Sequence, residues 1–147
     1  MAKKFTFELQ DILDFRNFEK EEAEADLAKA LSKESEINSK LQNIASQFIV
    51  LKKTVDSTSN FEDIAAASTH KKFLEYQKEE LLQELAQAQI VTAEKRAVLA
   101  EIMKKTTALE KLKEKEETAY KEAVEKEEAE LLDDLANAKR LSGQARQ

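Results

Sequence analysis

Thirty acidic side chains, a single histidine and no cysteine bound the chemistry open to this 147-residue chain. Without cysteine there is no thiolate nucleophile and no disulfide framework, a composition that fits a reducing compartment. His70 is the sole imidazole, so a histidine pair for proton transfer and a multi-histidine metal site are ruled out. It falls in a polar stretch, Ser68-Thr69-His70, and reads as a solvated side chain. The carboxylates recur at helical spacing on polar faces, whereas paired catalytic acids need a concave, partly dry site. Neither calcium-loop spacing nor a phosphate-cradling glycine run occurs. The expectation is a protein that is not an enzyme and uses no cofactor and no metal.

What remains is the chemistry of contact. The net charge of −6 argues against nucleic acid as a partner, because phosphate neutralisation needs a basic face. That charge is local: between Lys113 and Asp134 four lysines stand against ten acids, a net of −6. The window is either a solvated helix surface or an acidic contact for a basic partner. Five of the seven phenylalanines, Phe5, Phe7, Phe15, Phe18 and Phe48, precede the expected turn. Phe15 and Phe18 lie off the apolar stripe described below. Either they pack on the flanks of a partner helix, or they anchor a binding surface, where aromatic side chains are favoured.

The elements that position these residues follow from composition and period. Charged residues make up 37% of the chain, against about 25% in an average globular protein. Proline is absent and Gly143 is the only glycine, so few turns can form. Leu9, Leu13, Arg16, Lys20, Ala23, Leu27, Ala30, Glu34, Ile37, Leu41, Ile44, Phe48, Leu51 and Val55 alternate in steps of four and three, and eleven of the fourteen are apolar. That 3.5-residue repeat keeps a narrow stripe against one partner helix. Ala23 and Ala30 allow close approach, while Arg16, Lys20 and Glu34 are polar stripe positions that set register at a cost in stability. Thr6 is the expected N-cap of a first helix over about 6–55, a rod of roughly 75 Å at ~1.5 Å per residue.

The stripe fails next. Asp56 to Asn60 are turn- and cap-forming residues, and Ser59 with Glu62 has capping-box spacing. A tip over 56–70 with its own short helix is expected. A second helix over about 71–141 resumes the stripe at Leu74, Lys78, Leu81, Leu85, Ala88, Thr92, Lys95, Leu99, Ile102, Thr106 and Leu109, seven of eleven apolar. Lys113 to Thr118 is polar all round. A phase-shifted stripe follows at Tyr120, Val124, Glu127, Leu131, Asp134, Ala138 and Leu141, with Ser142-Gly143 as the stop and 142–147 as a tail. The fold class expected is all-α: one elongated domain, a long antiparallel two-stranded coiled-coil hairpin with a C-terminal overhang.

A hairpin centred near residue 63 pairs residues whose numbers sum to about 126, which sets Leu9 near residue 117. Residues from about Tyr120 to Leu141 then extend past helix 1, held weakly by i, i+4 pairs such as Glu117–Lys121 and Glu122–Lys126. Their apolar stripe has no partner within the chain, which calls for another molecule. No apolar run is long enough to span a bilayer and none follows the N-terminal lysines as a signal peptide requires, so a soluble cytosolic protein is expected.

The two ends resemble one family. Phe5-Thr6-Phe7-Glu8-Leu9, then Ile12-Leu13, Arg16, Glu19, Ala23, Leu27 and Ala30, is similar to the opening of the flagellar export protein family FliJ. Leu109-Glu110-Lys111-Leu112-Lys113-Glu114-Lys115, then Tyr120, Glu127-Glu128 and Leu131-Leu132-Asp133-Asp134-Leu135-Ala136, is similar to its closing part. Ser142-Gly143, expected to end the helix, departs from the family, and Gln144 to Gln147 carry no family feature.

The resemblance implies a coiled coil like the central γ stalk of rotary ATPases, in the flagellar type III export apparatus. It implies that the open end sits in the hexameric export ATPase, FliI. Another surface would engage the export gate protein FlhA, and export chaperones are further partners. On the matching positions the ATPase-facing residues are Phe5, Leu9, Leu13, Arg16, Leu131, Asp134, Leu135 and Arg140. A monomer is expected, located in the cytoplasm and peripherally at the inner membrane, without insertion. Two alternatives stay open: a stalk subunit of another rotary-type ATPase or of an injectisome, and a self-associating coiled-coil scaffold.

Overall fold

A computed structural model of the chain describes residues 4–145. Two helices account for nearly all of them, α1 (Gln10–Ser57) and α2 (Phe61–Ala145), packed against each other as a helical hairpin. Their contacts divide into two compact units, one of residues 1–19 with 102–147 and the other of 20–101. Each is described separately below.

The turn is tighter than the sequence suggests. Helix α1 ends where short polar side chains take over backbone groups: the Thr54 hydroxyl donates to the Val50 carbonyl (3.0 Å), and that of Ser57 to the Thr54 carbonyl (3.0 Å). Only Thr58, Ser59 and Asn60 separate the helices. The N-cap of α2 is Asn60, one residue beyond the expected Ser59. Its Oδ1 accepts the Glu62 amide (2.9 Å), while the Thr58 hydroxyl accepts the Asn60 amide and donates to Asp63, both at 3.2 Å. Glu62 and Asp63 place negative charge on the first turn, where the helix dipole favours it. With that cap in place no separate tip helix forms; Ser68-Thr69-His70 lies inside α2, its Thr69 hydroxyl bonded to the Ala65 carbonyl. Replacing Asn60 with alanine should cost about 1 kcal/mol, read as a lower urea midpoint at constant slope.

In the unit of residues 20–101 the seam follows the 3.5-residue repeat. Ala23, Ile37, Ile44, Ala67, Leu74 and Ala88 form the buried core, with Leu74 fully enclosed at 0% exposure. Lys78 is the exception among the expected α2 stripe positions; it is exposed, and its neighbour Gln77 is half-buried instead. Thr92 is buried, and its hydroxyl lies 2.9 Å from both Glu34 Oε2 and the Ala88 carbonyl oxygen, a shared hydrogen bond. Glu34 is thus a seam residue with a partner, and the pair sums to 126. One polar pair in an apolar seam favours one register, because a slip takes the Thr92 donor away from the Glu34 carboxylate, while Thr92 keeps only its bond to Ala88.

In the unit of residues 1–19 and 102–147, α1 starts at Gln10, three residues later than a cap at Thr6 would start it. The Gln10 amide donates to the Phe7 carbonyl (3.1 Å), and the Leu13 amide to that of Leu9 (2.9 Å). Residues 4–7 have no regular structure, yet Phe7 is buried and Phe5 half-buried. On α2, Thr106 is buried with its hydroxyl on the Ile102 carbonyl (2.9 Å). The seam does not stop at the polar stretch: Lys113 and Glu117 are half-buried, as are Tyr120 and Val124. Long polar side chains can cover a seam with their stems and keep their charges in water. The steps Leu109, Lys113, Glu117 are two fours in succession, which is where the phase slips.

The stop at Ser142-Gly143 does not form. Helix α2 continues to Ala145 and Gly143 keeps a right-handed backbone. Nothing crowds Gly143, so no C-cap demands it. The end of the expected tail, 146–147, lies outside the described residues, as do residues 1–3.

Candidate partner-binding site

All eight sequence-derived candidates fall in the unit of residues 1–19 and 102–147, but the structure sorts them into two groups. Phe5 and Leu9 are half-buried, and Leu13 is only 4% exposed. Arg16 is half-buried, with its guanidinium on Glu19 (Nη1 to Oε1, 2.8 Å). Leu131 and Leu135 are open to solvent at 59% and 58%, with Asp134 and Arg140 exposed beside them.

The N-terminal group is held by α2. The Phe5 and Tyr120 rings sit with centroids 5.6 Å apart and planes inclined at 45°, a favourable tilted aromatic contact. Their numbers sum to 125, close to the register set by the heptads. Phe5 therefore covers part of Tyr120, Val124 is half-buried, and the fully exposed stretch of α2 begins at Glu125 rather than at Tyr120. The contact is imperfect: the Tyr120 hydroxyl is buried with no hydrogen-bond partner among the described residues. A desolvated, unpaired hydroxyl costs free energy that a phenyl ring avoids. Tyr120→Phe should leave stability unchanged or raise it by up to about 1 kcal/mol in urea unfolding, while a loss of that size would show that the hydroxyl is paired.

From Glu125 to Gly143 every residue is exposed. Leu131, Leu135 and Ala138 follow one another at helical spacing, Leu132 and Leu141 widen the stripe, and Glu127, Glu128, Glu130, Asp133 and Asp134 border it. Of the two ion pairs expected nearby, Glu117–Lys121 closes at 4.0 Å; among the described residues Glu122–Lys126 does not close within that limit. The helix here gains little from its own surface charges. Its apolar stripe is left open to solvent between acidic side chains.

Three further residues of this unit were not singled out as one surface by period alone. Ile12, Phe15 and Phe18 are exposed on α1, the two rings at 58% and 55%, so packing against α2 does not explain them. The unit of residues 20–101 has its own exposed apolar group on either side of the turn: Ile49, Val50, Phe61, Ile64, Phe73 and Tyr76. The phenol of Tyr76 is held above its ordinary value by Glu80, first as a hydrogen-bond acceptor and then through its charge. No cluster of potential metal ligands occurs among the described residues, and no helix there is long and apolar enough to cross a membrane.

These features define a class: a two-helix coiled-coil protein whose outward surfaces, rather than an enclosed cleft, are suited to engage other proteins. The family model described as "Flagellar FliJ protein" matches residues 5–144, from the N-terminal aromatic segment through the exposed leucine stripe. The chain belongs to the FliJ family and is a component of flagellar protein export. No curated protein and no solved structure matches it.

Proposed function

We propose that this chain is a non-enzymatic, stalk-like export factor that binds the flagellar export ATPase and couples it to the export gate and to export chaperones. The observation that carries this reading is the acid-bordered stripe of Leu131 and Leu135, exposed on α2 while the adjoining seam at Tyr120 and Val124 is covered. The ATPase ring would close over that stripe, with Asp134 and Arg140 at its edge. Phe5, Leu9 and Leu13 serve by holding segment 4–9 and the start of α1 on α2, and Arg16 by its pairing with Glu19.

No catalytic group of the chain takes part. It acts by contacting one state of the ATPase more favourably than another, which is the only way a ligand shifts an equilibrium. The protein works as a monomer in the cytoplasm and at the cytoplasmic face of the inner membrane. Cells lacking it are expected to lose flagellar assembly, and with it motility and chemotaxis.

The test is binding of the full chain to purified export ATPase, followed by sedimentation and by the rate of ATP hydrolysis. Saturable binding with a changed hydrolysis rate supports the reading. The absence of both, together with concentration-dependent self-association of the chain alone, would favour a self-associating scaffold instead.

A further inference from the structure

The exposed rings of Phe15 and Phe18 have no role in the hairpin. Each lies two residues beyond a seam position, Leu13 and Arg16, and is therefore turned by about 200° from the seam. At that angle a side chain cannot reach α2, and both rings remain more than half open to water. Their helical neighbours in the same unit are Asp11, Ile12, Asp14 and Glu19. Ile12 is exposed with them and extends the apolar patch. The other three are acids.

The charge around the patch is one-sided. Over residues 5–19 four acids stand against a single cation, Arg16, and Arg16 already donates to Glu19 at 2.8 Å. An aromatic pair rimmed by carboxylates suits a helix with an apolar face flanked by arginine and lysine. The apolar face covers the rings, the cations meet the rim, and a guanidinium can also stack on a phenylalanine face. We propose that Ile12, Phe15 and Phe18, with Asp11 and Asp14, form a docking surface for a basic amphipathic helix of another protein. This surface is separate from the α2 stripe, and the inference goes beyond the ATPase reading without depending on it.

The probe is a capped amphipathic peptide of about five turns, built from leucine, alanine, lysine and arginine, with a charge-reversed glutamate version as control. Both are titrated into the full-length ¹⁵N-labelled protein. The basic peptide is expected to move the amide signals of residues 11–19, and the charge-reversed peptide to leave them in place. Phe15→Ser with Phe18→Ser should weaken binding about ten-fold or more without changing helicity, since both rings are exposed. Asp11→Lys with Asp14→Lys should reverse the preference between the two peptides. Leu131→Asp with Leu135→Asp should leave binding unchanged, which separates this result from the fate of the ATPase reading.

Shifts confined to residues 125–135, or shifts of residues 11–19 that survive the double serine substitution, overturn the proposal. Failure of the basic peptide to bind overturns it as well. Sedimentation of the unliganded protein gives a further outcome: a dimer that the double serine variant abolishes would assign the patch to a second copy of the chain.

Discussion

Leu74→Ala is expected to lower the unfolding free energy by about 3 kcal/mol, the largest loss from any single truncation of the seam. Among the described residues Leu74 is the one large side chain fully enclosed by the fold. A register sum near 126 sets it against Leu51, which is itself half-buried. Removing three carbons there forfeits their transfer free energy and leaves a gap, because two backbones held by seams on either side cannot close in by a methyl radius. A two-helix seam has no second layer to share the loss. The measurement is urea unfolding followed by helical circular dichroism, with hydrogen exchange to locate the effect in the unit of residues 20–101. Leu132→Ala is the control: that side chain is exposed, and its truncation should change stability by no more than about 0.5 kcal/mol.

Leu131→Asp with Leu135→Asp should do the opposite, sparing the fold and removing the partner. Both side chains are more than half exposed, and none of the described residues covers them. Two aspartates on a solvated helix face cost little in stability. In a complex they cost much more: the apolar area is lost, and two charges must be desolvated inside an interface whose chain side is already acidic. Together these effects come to about 3 kcal/mol, or roughly 100-fold in affinity for the export ATPase. The pairing of an unchanged unfolding curve with lost binding is the required signature. Binding that persists in this variant would remove the stripe from the interface, and a lost fold would show that the stripe is structural.

The stripe was legible in the sequence because it depends on period alone. All fourteen positions from Leu9 to Val55 selected by the alternating four-and-three step are buried or half-buried, and ten of the eleven on α2 are as well. The exception, Lys78, yields to Gln77, since a cation is the costlier of the two to cover. The chain reversal was also legible from Asp56 to Asn60, but its residue-level form was not. Ser59 and Asn60 are both good caps, and the choice of Asn60 follows from a network joining Thr58, Asn60, Glu62 and Asp63. Once that cap starts α2, the serine and threonine that suggested a break at 68–69 bond within the helix or face water. Gly143 likewise suggests a stop, yet a lone glycine inside a helix costs about 1 kcal/mol and does not by itself end it.

Of the candidate site, sequence alone pointed to residues near the two ends of the chain, and the structure sorts them into covered and exposed groups. The acids, leucines and aromatics near both ends were visible, and the family likeness rests on their order. Whether a given aromatic is covered was not visible. Phe5, Phe7, Phe15 and Phe18 look alike in sequence, but Phe7 is buried, Phe5 rests on Tyr120, and the other two are open.

By itself, then, the sequence determined that the chain forms two long helices, which faces of them meet, and in what register, because a 3.5-residue repeat without proline admits few alternatives. Only the tertiary structure decided where that meeting ends. Helical period says which side of a helix seeks a partner and nothing about how far the partner reaches. Phe5, which lies before the repeat begins at Leu9, extends the cover to Tyr120. Leu131 and Leu135 are left exposed because no residue of α1 reaches them, and Phe15 and Phe18 because they face away from the seam.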